Sequence, residues 1–172
     1  MTQEPEMRVE RADGVATVVL TRPSKLNALT IPLYRELADF FAAEQENAAT
    51  RAVVITGEGR GFCSGGDVHG IIGALLGRPM REILAFTRLT GELIGNMRLF
   101  DRPIVAAMNG VAAGAGAVIA LASDFRVMSA TSSIAFLFTK VGLTGADMGA
   151  GYLLPRVVGM GRATEILMLG DP

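Results

Sequence analysis

The sequence predicts an α/β protein whose strands pair mainly in parallel. Short runs of continuous apolar, often β-branched residues alternate with longer segments of helical period. The runs lack the apolar/polar alternation of a half-exposed sheet, so both faces of the sheet are expected to be covered. Glycine-rich loops follow the runs, and two stretches share one layout. AVVITGEGRGFCSGGD (residues 52–67) and PIVAAMNGVAAGAGA (residues 103–117) both read apolar strand, glycine turn, small residues.

The elements follow in order. Gly14 to Thr21 reads as a first strand closed by the turn residues Arg22-Pro23-Ser24. Thr30 is placed to cap a helix with Pro32 in its first turn and Leu33, Leu37, Phe40 and Phe41 on one face. Ala52–Thr56 is a second, buried strand, followed by a loop carrying Gly57, Gly59, Gly61, Gly65 and Gly66. Phe86, Leu89, Leu93 and Met97 then recur at helical spacing. Ile104–Met108 is a third strand, Gly110–Gly116 a third glycine loop, Ala117–Ala122 a helix of small residues, and Asp124–Met128 begins a fourth strand. A last helix-like run, Ala163–Leu169, meets the stop signal Gly170-Asp171-Pro172.

Composition narrows the function classes. At 172 residues the chain suits a single domain, residues 1–172. Half of it is apolar, 19% is charged and mean hydropathy is +0.39, so burial of apolar surface in an oligomer is expected. Sixteen Lys and Arg nearly balance 17 Asp and Glu with no basic stripe, which argues against a nucleic-acid partner. No polybasic cluster points to a membrane surface. The polar, acidic start from Met1 to Arg11 lacks the apolar core of a signal peptide, so a cytoplasmic location is expected. Pro103 to Ser123 is uncharged and about as long as a bilayer span requires, yet Pro103, Asn109, Gly110, Gly114 and Gly116 divide it into a strand-like and a helix-like piece. Cys63 is the only cysteine, which excludes an intramolecular disulfide and a cysteine-based metal site.

The glycine loops suggest the chemistry. A strand followed by glycines and then a helix leaves unpaired backbone N–H groups at the helix start, with no side chain blocking approach. Partial positive charge gathers there, and two such loops on adjacent parallel strands can converge on one oxygen. Other readings fit less well. Gly57-Glu58-Gly59-Arg60-Gly61 follows a strand but has Phe62 where a dinucleotide fingerprint needs its third glycine, and no phosphate-binding G-x-x-x-x-G-K-[ST] occurs. Ser64 is not in a G-x-S-x-G elbow, and the sole histidine, His69, follows only five residues later, so Ser64 and His69 read as loop and helix-start residues. Cys63 reads as a packing residue.

At this point the residues resemble the crotonase superfamily, the enoyl-CoA hydratase/isomerase family, in several places and in that family's order. Arg22-Pro23-Ser24-Lys25-Leu26-Asn27-Ala28-Leu29 resembles its coenzyme A-binding segment. Gly61-Phe62-Cys63-Ser64-Gly65-Gly66-Asp67-Val68 resembles its first oxyanion loop, and Pro103 to Gly110 continued by Ala113-Gly114-Ala115-Gly116 resembles the second. Leu154-Pro155-Arg156-Val157-Val158-Gly159 is similar to the segment after the catalytic region. The resemblance implies a crotonase-like spiral of ββα units, acyl-CoA thioester substrates with coenzyme A as part of the substrate, and a homotrimer or hexamer. It implies no metal, flavin or nicotinamide. The backbone N–H groups of Gly66 and Ala115 would hold the thioester oxygen. Lys25 would meet the CoA phosphates. Leu26, Ala28, Gly65, Asp67, Val68, Gly114 and Thr139 would complete the substrate-binding wall. Relatives carry further C-terminal helices that close the acyl pocket and build the trimer contact, and that region is expected to be absent or truncated here.

The departures shape the expected reaction. Hydratases of this family use two glutamates. This chain has Val118 at the position of the first, and the second falls near Phe138-Thr139. Asp147, in Gly145-Ala146-Asp147-Met148-Gly149, is similar to the aspartate of dienoyl-CoA isomerases. Phe138, Leu143, Met148 and Leu153 would desolvate its carboxyl group and raise its pKa toward an acid/base range. Capping the helix that leads to Leu154 is its other reading. The expectation is acyl-CoA processing of the hydratase/isomerase type with Asp147 as acid/base. The alternative is a noncatalytic acyl-CoA-binding protein on the same fold.

Overall fold

A computed structural model describes residues 5–75 and 77–171, with the side chains at positions 69 and 72 outside that description. The chain opens with a hairpin of β1 (Met7–Ala12) and β2 (Val15–Leu20). Asp13 (φ +51°) and Gly14 (φ +78°) form its two-residue turn, and both lie in the left-handed region. A 3-10 turn at Pro23–Lys25 leads to α1 (Ile31–Glu44), where the Leu33 N–H donates to Thr30 Oγ1 at 3.2 Å, so the threonine caps the helix as expected. Next come β3 (Ala52–Gly57), β4 (Gly61–Cys63), α2 (Val68–Leu75) and α3 (Met80–Leu99). Then follow β5 (Ile104–Met108), β6 (Val111–Ala113) and α4 (Ala115–Ala122). β7 (Phe125–Met128), β8 (Ile134–Ala135), 3-10 turns at Leu137–Val141 and Asp147–Gly149, α5 (Ala150–Val158) and α6 (Met160–Leu169) complete it.

The strands sort into two sheets. The larger runs β1-β2-β3-β5-β7, antiparallel only between β1 and β2. The smaller runs β4-β6-β8, all parallel. After the first unit, whose two strands both lie in the large sheet, each unit sends its first strand to the large sheet and its second to the small one before a helix returns the chain, which is the ββα spiral implied by the resemblance. β1 lies at the edge of the large sheet, and its charged residues Arg8, Glu10 and Arg11 suit that place.

Between the sheets and the helices lies one core. All eight residues of α4 are buried. α1 buries Leu33, Leu37 and Phe41 while α3 buries Leu89, Leu93 and Met97, and Asn96 Nδ2 donates to the Ala38 carbonyl at 3.0 Å between those two helices. Phe41 stacks edge-to-face on Phe40 and Phe100, with ring centroids 5.2 and 5.7 Å apart. The uncharged stretch Pro103–Ser123 divides into β5, β6 and α4. Among the described residues no helix is long and apolar enough to cross a membrane.

The sequence reading differs from this fold chiefly in its short strands, and β8 and α2 also have no counterpart in it. Residues 61–63 and 111–113, read as parts of glycine loops, are strands of the small sheet, and β1 was not anticipated. Strands of three residues are too short to carry a period, and a charged edge strand has no continuous apolar run.

Candidate active site

Both glycine loops leave adjacent strands of the small sheet. β4 pairs with β6 through Gly61 opposite Val111 and Cys63 opposite Ala112, so Ser64–Gly66 and Gly114–Ala115 emerge side by side. Their closeness requires glycine. A Cβ on Gly116 would stand 2.2 Å from the Cys63 carbonyl oxygen, and one on Gly65 (φ +102°) would stand 2.9 Å from the Ala113 oxygen.

The backbone bonds of these loops leave two donors over. Leu29 N–H donates to Gly65 O and Asp67 N–H to Leu29 O, both at 2.8 Å, in a parallel bridge that turns the Gly66 N–H away from Leu29. The Gly114 N–H donates to Ala135 O at 2.8 Å, while Ala115 occupies the first position of α4, where helical geometry offers its N–H no acceptor. Among the described residues neither the Gly66 nor the Ala115 N–H has a hydrogen-bond acceptor. Both residues line one cavity.

Two asparagines fix the turn that precedes the first loop. Asn27 is fully buried at φ +56°, next to Leu26 at φ +49°. Its Nδ2 donates to the carbonyls of Glu58 (3.0 Å) and Gly61 (2.8 Å), and its Oδ1 accepts from the Arg22 N–H (3.0 Å). From the other side Asn109 Nδ2 donates to the Gly59 carbonyl at 2.8 Å. Asparagine tolerates the left-handed conformation better than other residues with a Cβ, and the three bonds offset its strain.

The cavity has a volume of about 250 Å³. Its walls come from the two loops, from Tyr34 of α1, from Phe86 and Thr90 of α3, and from Phe138, Leu143, Asp147 and Met148. Asp147 is one of two acids in its lining, with Asp67 the other. Burial raises the Asp147 carboxyl above the usual carboxylate range, and a bond from the Met148 N–H partly offsets this. The capping role is not realised, because the N-cap of α5 is Gly149 at φ +85° and no side chain bonds there. Met148 (φ +53°) gives the backbone a left-handed step just after the acid. The Cys63 thiol is buried and pushed up to about 12, so it packs rather than reacts. Ser64 Oγ donates to the Lys25 carbonyl at 3.2 Å, as a loop residue does, and the His69 side chain lies outside the described residues.

The other residues singled out in the sequence fall at varied distances from this site. Gly65, Val68 and Gly114 line the cavity, as does Asp67. The Asp67 carboxylate is held below the usual range by the Gly70 N–H (3.1 Å) and then by Arg22 (3.3 Å). Lys25, Leu26 and Ala28 border the first loop rather than the cavity wall, joined to it by the Ser64 N–H bond to Leu26 O at 2.9 Å. Thr139 is away from the cavity. Its buried hydroxyl has no hydrogen-bond partner among the described residues and lies next to Gly170, and the residue borders a separate hollow with Thr144 and Leu167. Its neighbour Phe138 reaches the cavity instead. Val118 is sealed in the core. Tyr34, Phe86 and Thr90 went unremarked in the sequence as site residues. The helical spacing of Tyr34 with Leu37 and Phe41 on α1 is the signal that puts its hydroxyl on a buried face.

Comparison with known proteins agrees with this arrangement. A sequence profile described as enoyl-CoA hydratase/isomerase matches residues 10–172. A Mycobacterium leprae protein classed with the enoyl-CoA hydratases is 38% identical over 162 residues, covering 91% of this chain and 54% of the relative. The 1,2-epoxyphenylacetyl-CoA isomerase of Escherichia coli is 34% identical over 158 residues, covering 92% of this chain and 60% of that protein. A solved Streptomyces coelicolor structure, also classed with the enoyl-CoA hydratases, superposes with a TM-score of 0.95 at 57% identity, over 99% of this chain and 62% of that one. The chain thus spans a little over half the length of the relatives it matches. Its profile match and its two-sheet spiral together establish that it belongs to the enoyl-CoA hydratase/isomerase family.

Proposed function

We propose that the chain processes acyl-CoA thioesters, with the Gly66 and Ala115 N–H groups as an oxyanion hole and Asp147 as the acid/base. The observation that carries this reading is the pair of N–H groups on adjoining loops that have no acceptor among the described residues, opening into a largely apolar cavity with the Asp147 carboxyl in its lining. The thioester carbonyl oxygen accepts from both donors. The Asp147 carboxylate removes a proton next to the carbonyl or conjugated with it, the two N–H groups stabilise the enolate, and the acid returns the proton to another carbon. The raised pKa of Asp147 suits a group that must accept and release one proton in the same cycle. The CoA portion would run along Lys25–Ala28, with the exposed Lys25 ammonium toward its phosphates. No metal or redox cofactor enters this scheme.

With Phe138 on the cavity wall and Val118 in the core, two-glutamate hydration has no residues to run on, and proton transfer by one acid is favoured. The same substitutions favour a second reading, binding of acyl-CoA without turnover. Assay of the purified chain against enoyl-, dienoyl- and aromatic acyl-CoAs decides between them. Turnover abolished in Asp147→Asn supports the assigned acid, turnover unchanged in that variant refutes it, and tight binding without turnover across the panel selects the second reading. Exposed apolar side chains on β7 (Phe125, Val127) and α6 (Met160, Met168) support assembly into a homo-oligomer.

A further inference from the structure

Tyr34 brings a hydroxyl into the cavity, within electrostatic reach of the Asp147 carboxyl. Its ring is fixed, edge-to-face on Phe86 with centroids 5.5 Å apart and planes at 88°, and the residue is 3% exposed. Its hydroxyl lies 3.3 Å from the point where a Cβ on Gly66 would stand, beside one of the two oxyanion donors. Among the described residues its one hydrogen-bond partner is the Met148 thioether sulfur at 3.9 Å, a weak acceptor. Burial raises the phenol far above its ordinary pKa, so it remains a neutral donor at any physiological pH.

Burying a hydroxyl against a thioether is costly relative to a satisfied one. A phenylalanine would fill the same volume and keep the Phe86 contact without that cost. A donor held rigidly in a cavity and left without a strong acceptor is arranged for a ligand atom.

We propose that Tyr34 is a specificity-determining residue whose hydroxyl donates a hydrogen bond to an oxygen on the acyl chain of the substrate, close to the thioester. The substrate class is then an oxygenated acyl-CoA, bearing a hydroxyl, oxo or ether oxygen near the carbonyl, rather than a plain hydrocarbon thioester. This rests on the acyl-CoA reading above and narrows it. Phe138, Leu143 and Phe86 supply apolar contact for the remainder of the chain. Tyr34 supplies direction, because a site built to bond an oxygen disfavours the analogue that lacks it.

Tyr34→Phe tests the assignment in the purified chain. Calorimetric titration would compare butanoyl-CoA with 2-hydroxybutanoyl-, 3-hydroxybutanoyl- and 3-oxobutanoyl-CoA. In the unaltered chain at least one oxygenated ester should bind tighter than butanoyl-CoA. In Tyr34→Phe that advantage should fall about five- to tenfold, the worth of one hydrogen bond, while butanoyl-CoA binds as before. The thermal midpoint of the unliganded variant should hold or rise, because no strong bond of the free protein is lost. A preference that survives in Tyr34→Phe, or no preference in the unaltered chain, overturns the inference and leaves the acyl-CoA reading standing. A lowered midpoint with equal loss for every ester overturns it in favour of a structural tyrosine. Binding of none of the four esters by the unaltered chain refutes the acyl-CoA reading, and this inference with it.

Discussion

Ala115→Pro separates the oxyanion donor from the fold that holds it. Ala115 is the first residue of α4, the one helical position where proline is favoured, because the N–H it removes has no partner within the helix. The preceding Gly114 sits at φ +50°, ψ −119°, the mirror image of the extended conformation that residues before proline adopt, and open only to glycine. Among the described residues the substitution deletes no hydrogen bond of the fold, since the first helical bond of α4 runs from the Val118 N–H to Gly114 O at 3.1 Å. The stability change is therefore expected to stay within about 1 kcal/mol. Removing one oxyanion donor costs about 3–4 kcal/mol in the transition state, a loss of roughly 10²–10³ in turnover. The proline ring also occupies space near the thioester oxygen, so this figure is a lower bound. The assay follows loss of the enoyl-thioester absorbance alongside a thermal melt, with Ala115→Gly, which keeps the N–H, as the comparison. Turnover by Ala115→Pro within threefold of the unaltered chain, at an unchanged midpoint, would refute the oxyanion assignment.

Three further outcomes are expected. Asp147→Asn should lower turnover by about 10²–10⁴ while raising the thermal midpoint at neutral pH. The native state raises this carboxyl, so its contribution is fully present below the unfolded pKa of about 3.9 and is lost as pH rises through the native value; melts of the two proteins should converge in acid and separate toward neutrality. Gly116→Ala puts a Cβ 2.2 Å from the Cys63 oxygen, a backbone atom that cannot rotate aside, so destabilisation of about 1–3 kcal/mol is expected in denaturant titration. Glu44, buried beside Arg11 at 2.6 Å, is held below the usual carboxylate range by that bond first and by Thr50 and Asn47 after it. Its stabilisation is present above the unfolded pKa of about 4.3 and fades as pH falls through the lower native value, so Arg11→Ala should flatten the acid limb of the stability profile.

The large sheet was legible because β2, β3 and β5 are apolar runs of five or six residues bounded by turns, and α1 because Thr30, Pro32 and the Leu33–Phe41 face agree with one another. The small sheet was not. Gly61–Cys63, Val111–Ala113 and Ile134–Ala135 are strands only because neighbouring units hold them in register, a tertiary cause that no local pattern expresses. The hairpin turn Asp13-Gly14 did carry a local signal, a two-residue turn pair ahead of a strand, but the charged β1 beside it masked the second arm. Motif order singled out Gly66, Ala115 and Asp147, which all line the cavity, whereas Thr139 borders a neighbouring hollow and Phe138 takes the cavity wall. Adjacent residues on a 3-10 turn face different directions, and the sequence gives no means of choosing between them.

The asparagine clamp on the 57–61 turn ties the order of folding to the site. Asn27 reaches that turn across 31–34 residues and Asn109 across 48–50. Closing it therefore requires two long chain segments to arrive together, with an entropic cost that no local contact offsets in advance. The first glycine loop accordingly belongs to the late, cooperative part of folding and not to a hairpin that forms early. Once closed, it has no cheap partial opening, because releasing the fully buried Asn27 leaves its side-chain amide without partners. The loop that carries Gly66 is thereby kept in place by the global stability of the domain, and exchange of its hydrogen-bonded Ser64 and Asp67 amides should track complete unfolding rather than local fluctuation.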